Sequence, residues 1–204
     1  MSRFEFLSET ESINKNLLVI CFMLSSLLFP VRTSAEVQRR GTSLVYSSWV
    51  ESLKVTRGSS SEDGTASFAG FQLSQRTRFK FENGKSLFVD FGILWGQAQA
   101  GNASSSLGYV SERKNFLGVM ISPALPWSPR KQILFKFGPS LLYRSTKWQM
   151  DESETIAKSG ADINTIALGS LEFKISKKLY IEQAVGALVF NGRSFWSLGV
   201  GYVW

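Results

Sequence analysis

Between residues 65 and 81 the chain reads TASFAGFQLSQRTRFKF, and apolar and polar positions change places at almost every step. Phe71, Leu73, Thr77, Phe79 and Phe81 fall on one parity, and Gln72, Ser74, Arg76, Arg78 and Lys80 on the other. Successive side chains of a strand point to opposite faces. The segment is therefore a strand with one apolar face and one polar, cationic face. ENGK follows at 82–85. Asn-Gly between two alternating runs predicts a tight hairpin whose central residues take positive φ. The next run, 86–100, places Leu87, Val89, Phe91, Ile93 and Trp95 on its apolar face, with Ser86, Asp90, Gly92 and Gly96 opposite.

The alternation recurs along the chain. Residues 107–122 set Leu117, Val119 and Ile121 against Glu112, Lys114, Gly118 and Ser122. PALPWSPRK, at 123–131, carries three prolines and predicts a break. Residues 132–148 set Ile133, Phe135, Phe137, Leu141 and Tyr143 against Lys136, Gly138, Ser140 and Arg144. Residues 148–160 are polar and predict a loop. Residues 161–175 oppose Leu171 and Phe173 to Glu172 and Lys174, and 179–190 oppose Ile181 and Val185 to Glu182 and Gly186. The last run, 194–204, alternates Trp196, Leu198, Val200, Tyr202 and Trp204 with small residues. The first, 42–55, is less clean: placing Leu44, Tyr46 and Val50 outward turns both Glu51 and Trp49 inward. Eight strands result, joined as hairpins, with no helix to carry a parallel crossover. Such a meander closes into an up-and-down barrel.

Residues 17–30, LLVICFMLSSLLFP, interrupt the pattern with an apolar run shorter than a spanning helix needs. Lys15 precedes it, and Thr33 and Ala35 suit a small-residue cleavage rule. We expect a signal peptide over residues 1–35 and one mature domain over 36–204; an uncleaved anchor or a buried helix is the alternative. Cys21 follows Ile20, unlike a lipoprotein cysteine, so the mature chain is expected to lack cysteine. Removing residues 1–35 takes equal numbers of acidic and basic residues and leaves the formal charge at +7.

Which face is wet separates a soluble barrel from a membrane barrel. The strands are long, and about 9–11 tilted residues already cross a bilayer. Trp95, Tyr109, Tyr143, Tyr202 and Trp204 stand near strand ends, where amphipathic rings form interfacial girdles. We therefore expect an all-β, eight-stranded antiparallel transmembrane barrel, apolar face outward and interior polar. Arg76, Arg78, Lys80, Asp90, Glu112, Lys114, Lys136, Arg144, Glu172, Lys174 and Glu182 are expected to form a charge network in the lumen. Their pairing depends on the barrel's shear, which sequence does not give.

A terminal strand with apolar residues at alternate places before an aromatic resembles the C-terminal signal of bacterial outer-membrane barrels. The matching residues are Leu198, Val200, Tyr202 and Trp204, although most of that family end in Phe. The whole mature chain resembles the small OmpA/OmpX-like barrels of the Gram-negative cell envelope, and no appended peptidoglycan-binding domain is expected. The resemblance implies an outer-membrane location, recognition of the last strand by the barrel assembly machinery, closure of that strand on the first, and a monomer. It also implies that the turns at 82–85, 123–131 and 176–178 are periplasmic. The connections at 56–64, 101–106, 148–160 and 191–193 then face outward.

Composition narrows the functions. The sequence contains no histidine, so a Ser–His relay is impossible. Glu112, Glu172 and Glu182 are a conceivable acid–base set, but the neighbouring Lys and Arg favour a structural ion network. We expect no enzyme activity, no cofactor and no metal site. A pI near 9.6 suggests nucleic acid; basic residues that point into a barrel of an exported chain argue against it. Arg57, Lys147 and Arg193 are placed to meet lipopolysaccharide phosphates at the outer rim. The expected function is structural or surface interaction through the outer loops, with an unidentified partner. The alternative is a narrow channel of low conductance, since eight strands leave room for little more than side chains.

Overall fold

Gly84 sets the register of the first predicted hairpin. It takes φ +78°, a left-handed value that a residue without Cβ adopts without strain. Its N–H donates to the Phe81 carbonyl at 2.9 Å, and the Phe81 N–H donates to the Lys85 carbonyl at 2.9 Å. The turn therefore spans three residues, 82–84, rather than two. In the computed structural model, which describes residues 35–101, 113–146, 148, 155–159, 163–189 and 193–204, this turn joins β2 (Ser60–Phe81) to β3 (Ser86–Gly101). Residues 1–34 of the expected signal segment lie outside the described residues, and Ala35 begins the first strand.

The other strands are β1 (Ala35–Arg57), β4 (Arg113–Arg130), β5 (Ile133–Thr146), β6 (Thr155–Ser159), β7 (Ile163–Lys174), β8 (Leu179–Leu188) and β9 (Ser194–Val203). β1, β2, β3, β4, β5, β7, β8 and β9 pair antiparallel in that order. β9 then returns onto β1, from Gly41 opposite Val203 to Trp49 opposite Phe195, and closes the barrel. The result is the eight-stranded, all-antiparallel, up-and-down barrel expected of an OmpA/OmpX-like chain. Closure gives each of these eight strands a neighbour on both sides.

Two expected loops are strands. Residues 56–64 are not an open connection: β1 and β2 stay paired to Arg57–Ser60 around Gly58, at φ +56°. Within 148–160, β6 pairs with Leu53–Arg57 of β1. Residues 56–64 are polar at alternate and intervening positions alike, so they lack the one-sided apolar pattern by which a strand is read, and Thr155–Ser159 is too short to show one. The prolines do not end β4 either. β3 pairs with β4 only as far as Phe88 opposite Ala124, while β4 continues on β5 to Arg130 opposite Ile133. One edge of β4 is thus free around Pro126 and Pro129, where a missing N–H is tolerated. The turn itself is at Lys131 and Gln132.

The apolar parity faces outward on every barrel strand. Leu73, Leu117, Phe137, Val185 and Val200 are exposed, as are Trp95, Tyr143, Tyr202 and Trp204 of the expected girdle. Tyr109 lies outside the described residues. On β1 the odd positions turn inward, including Glu51 and Trp49, and Leu44 and Tyr46 turn outward. Inside, the wall is polar over Gln72, Ser74, Ser122, Ser140 and Ser170, all buried. Toward the β1–β2 tip the filling changes to aromatic and aliphatic side chains. The interior is therefore polar over part of its length only.

Glycine lets one ring enter this interior. Gly201 is the cross-strand partner of Tyr180, and a Cβ there would collide with the Tyr180 ring. Tyr180 is buried. Gly201→Ala is expected to cost about 1–3 kcal/mol through overpacking, measured as an earlier urea midpoint of the folded protein in detergent micelles. An unchanged midpoint contradicts this packing.

Candidate functional site in the lumen

Two charged centres occupy the lumen, one above the other. The first assembles from five strands. Arg76 on β2 faces Asp90 on β3, its direct cross-strand partner. Glu172 on β7 stands directly opposite Glu182 on β8. Like charges so placed repel, and the wall alone offers no cure. The cure comes across the lumen. The Arg76 guanidinium donates from Nε and Nη2 to both Asp90 oxygens at 2.8 Å, a forked pair. Its Nη1 donates to Glu172 Oε2 at 2.5 Å, and Nη2 also reaches Glu182. Lys136 on β5 completes the set, donating to Asp90 at 3.3 Å and Glu182 at 2.6 Å. Two cations thus hold three carboxylates. The Phe88 and Tyr180 rings cover them, with the Arg76 guanidinium carbon 4.8 Å from the Tyr180 centroid.

The second centre is Glu51 on β1. Arg144 on β5 grips both of its carboxylate oxygens, with Nε donating to Oε1 at 2.8 Å. Trp49 Nε1 donates to the same oxygen at 2.7 Å, and Asn164 Nδ2 at 3.2 Å. Glu51, Arg144 and Trp49 are almost wholly removed from solvent. Aromatic rings enclose them. The Arg144 guanidinium lies 4.6 Å from the Phe68 centroid, and Phe68 stacks on Trp49 at 5.0 Å. Phe116 meets both rings edge-on, and Trp148, from the connection after β5, closes against Phe68.

The structure thus brings Arg76, Asp90, Lys136, Glu172 and Glu182 together and sends Arg144 to a different centre. Arg78 stands beside the first, donating to Ser86 at 3.1 Å with its guanidinium over Phe88. Lys80 is exposed and Lys174 half-buried near the tight-turn mouth, so neither enters the cluster. Lys114 is half-buried on β4, and Glu112 lies outside the described residues. Leu198, Val200, Tyr202 and Trp204 form an exposed outward row on the last strand. Of the rim cations, Arg193 is described, whereas Lys147 and the Arg57 side chain lie outside the described residues. Sequence reasoning missed Phe68, Phe88 and Tyr180. Glu51 and Trp49 carried a signal, their shared inward parity on β1.

A cavity of about 20 Å³ lies beside Lys136 and Glu182, lined by Ser122, Ser140 and Ser170. It has room for about one water. Every carboxylate of the two centres is engaged by a cation, so none is presented to a substrate as a free base.

No protein-family model matches the chain, and no curated protein does. Among solved structures, the chain is similar to Ail of Yersinia pestis, determined in complex with the heparin analogue sucrose octasulfate. The identity is 13% and the TM-score 0.44, covering 82% of this chain and 99% of that one. Neisserial surface protein A is 10% identical with a TM-score of 0.39, covering 80% and 95%. A de novo designed transmembrane β-barrel is 14% identical with a TM-score of 0.39, covering 83% and 100%. These values say nothing of ligand or role, and the fold rests on the strand pairing itself.

Breaking a buried pair by removing one partner costs about 3–5 kcal/mol, because the other charge is stranded. Arg144→Met is expected to destabilise by that order, and adding Glu51→Gln is expected to recover part of the loss. Equilibrium urea unfolding in micelles measures both. An Arg144→Met protein as stable as its parent contradicts the pairing.

Proposed function

We propose that this chain is an integral outer-membrane protein, exported by its N-terminal segment, with a structural or surface-interaction role and no catalytic one. The observation that carries the location is the exposed apolar face. Phe71, Leu117, Leu125, Val185 and Val200, with the aromatic residues around them, stand exposed over the barrel wall. A monomer in water rarely shows so continuous an apolar surface, whereas lipid requires one. The outward row Leu198, Val200, Tyr202 and Trp204 is then the segment offered to the assembly machinery.

The interaction surface is the extension of β1 and β2. Their hairpin runs past the last pairing of β2 with β3, at Thr65 opposite Gly101, for five further residues. At about 3.4 Å per residue it stands about 17 Å beyond that point. β6 joins its other edge, giving a three-stranded sheet in the order β2–β1–β6. A sheet that carries Ser60, Ser61, Glu62 and Asp63 beyond a lipid-embedded barrel supports contact with a partner in the water phase. Both lumen centres and the aromatic layer fill the space a channel needs, which favours this reading over conduction.

Cysteine substitutions test location and orientation together. Ser59→Cys at the hairpin tip is expected to react with a membrane-impermeant maleimide on intact cells. Asn83→Cys is expected to react only after the outer membrane is opened. Protection of Ser59→Cys with labelling of Asn83→Cys on intact cells overturns the orientation, and protection of both overturns surface exposure.

A further inference from the structure

The charges left outside the lumen are distributed unequally. At the end with the tight turns, Arg40, Lys85, Arg130, Lys131, Lys177 and Lys178 are all exposed, and Lys80 joins them at the mouth. The exposed carboxylate among the described side chains of that end is Glu82. The acids that might have balanced them, Asp90, Glu172 and Glu182, are turned inward and held by Arg76 and Lys136. At the opposite end Lys54, Arg113 and Arg193 are mixed with Glu62 and Asp63. Among the described side chains, the barrel is thus cationic at one rim and mixed at the other.

The cationic rim is not a free aqueous surface. It borders the outward aromatic residues Trp127, Tyr202 and Trp204, which are exposed at the same end. Backbone pairing fixes the arrangement at the seam. The Val203 N–H donates to the Lys178 carbonyl at 2.7 Å, and the Trp204 N–H donates to the Arg40 carbonyl at 3.1 Å. Lys178 and Arg40 therefore flank the last two residues on either side, about two strand spacings, or ~10 Å, apart. The Lys178 ammonium lies 5.7 Å from the Tyr202 ring centroid. Trp204 Nε1 is directed to the Thr42 hydroxyl at 3.4 Å. Amphipathic rings with cations just beyond them match the depth order of a bilayer surface, where acyl chains give way to headgroup phosphates.

We propose that this rim is a collar for anionic phospholipid headgroups, and that it selects negatively charged phospholipid in the leaflet at the tight-turn end. Cations near a membrane surface each draw anionic lipid, and a ring of them around the wall enriches it in the lipids touching Trp127 and Trp204. The inference rests on the membrane-barrel reading and adds to it a lipid class and a place.

The test uses the full folded chain carrying Trp95→Phe, Trp148→Phe and Trp196→Phe, which leaves Trp127 and Trp204 at the collar and Trp49 sealed inside. The protein is reconstituted in phosphatidylcholine bilayers in which either dibrominated phosphatidylglycerol or dibrominated phosphatidylcholine quenches tryptophan. Heat-modifiable migration confirms folding before each measurement. Quenching is expected to show phosphatidylglycerol favoured about threefold at low salt, and the preference is expected to fall in 0.5 M NaCl through screening. Arg40→Gln, Lys131→Gln, Lys177→Gln and Lys178→Gln together are expected to bring the ratio close to one, while Lys→Arg at 131, 177 and 178 keeps it. Equal quenching by the two lipids in the folded parent overturns the collar and leaves the barrel standing. An undiminished preference in the Gln variant likewise overturns it. A chain that never gives a folded, bilayer-inserted form overturns the barrel reading and the collar with it.

Discussion

Arg76 lies where three carboxylates from three other strands converge, and the barrel's interior is organised around that meeting. A closed barrel in lipid satisfies its backbone by pairing every strand on both sides. Its inward side chains have no such automatic partner. Glu172 and Glu182 oppose one another on neighbouring strands, so the wall at that level holds only with a cation supplied from the far side. A guanidinium suits this better than an ammonium. Its planar fork meets Asp90 with two parallel bonds and still has donors for both glutamates. Lys136 then ties Asp90 to Glu182 from a fifth strand. One ion cluster fixes β2, β3, β5, β7 and β8 relative to one another.

The upper centre solves the same problem by different means. Glu51 is paired with Arg144 and also accepts hydrogen bonds from Trp49 and Asn164. The surrounding rings of Phe68, Phe116 and Trp49 exclude water, which strengthens the pair and makes its loss costly. Because the acids are consumed inside, the cations of the tight-turn rim are left to face outward. The inward turn of the acids and the asymmetry of the surface are two sides of one charge distribution.

The facing of the strands was legible because lipid demands it. Phe71 to Phe81 and Leu87 to Trp95 alternate with polar residues, and each parity points as the pattern predicts. The identity of the ion pairs was not legible. Arg76 to Asp90 follows from the hairpin at Gly84, but Arg76 to Glu172 crosses the lumen and depends on shear. Phe68, Phe116 and Phe195 were illegible for a different reason. They are apolar residues on the polar parity, so they look like exceptions until their rings are seen packed on Trp49. β6 and the tip of the β1–β2 hairpin escaped notice because, beyond the lipid, a strand no longer needs one apolar face.

The central claim is a membrane-spanning barrel whose lumen is filled by two ion centres and an aromatic layer. Planar-bilayer current recording on purified, heat-modifiable protein tests it most directly. The account predicts a bilayer without steady openings although folded protein has inserted. Reproducible openings at a defined conductance contradict it, since they require a continuous water path past Arg76 and past Trp49.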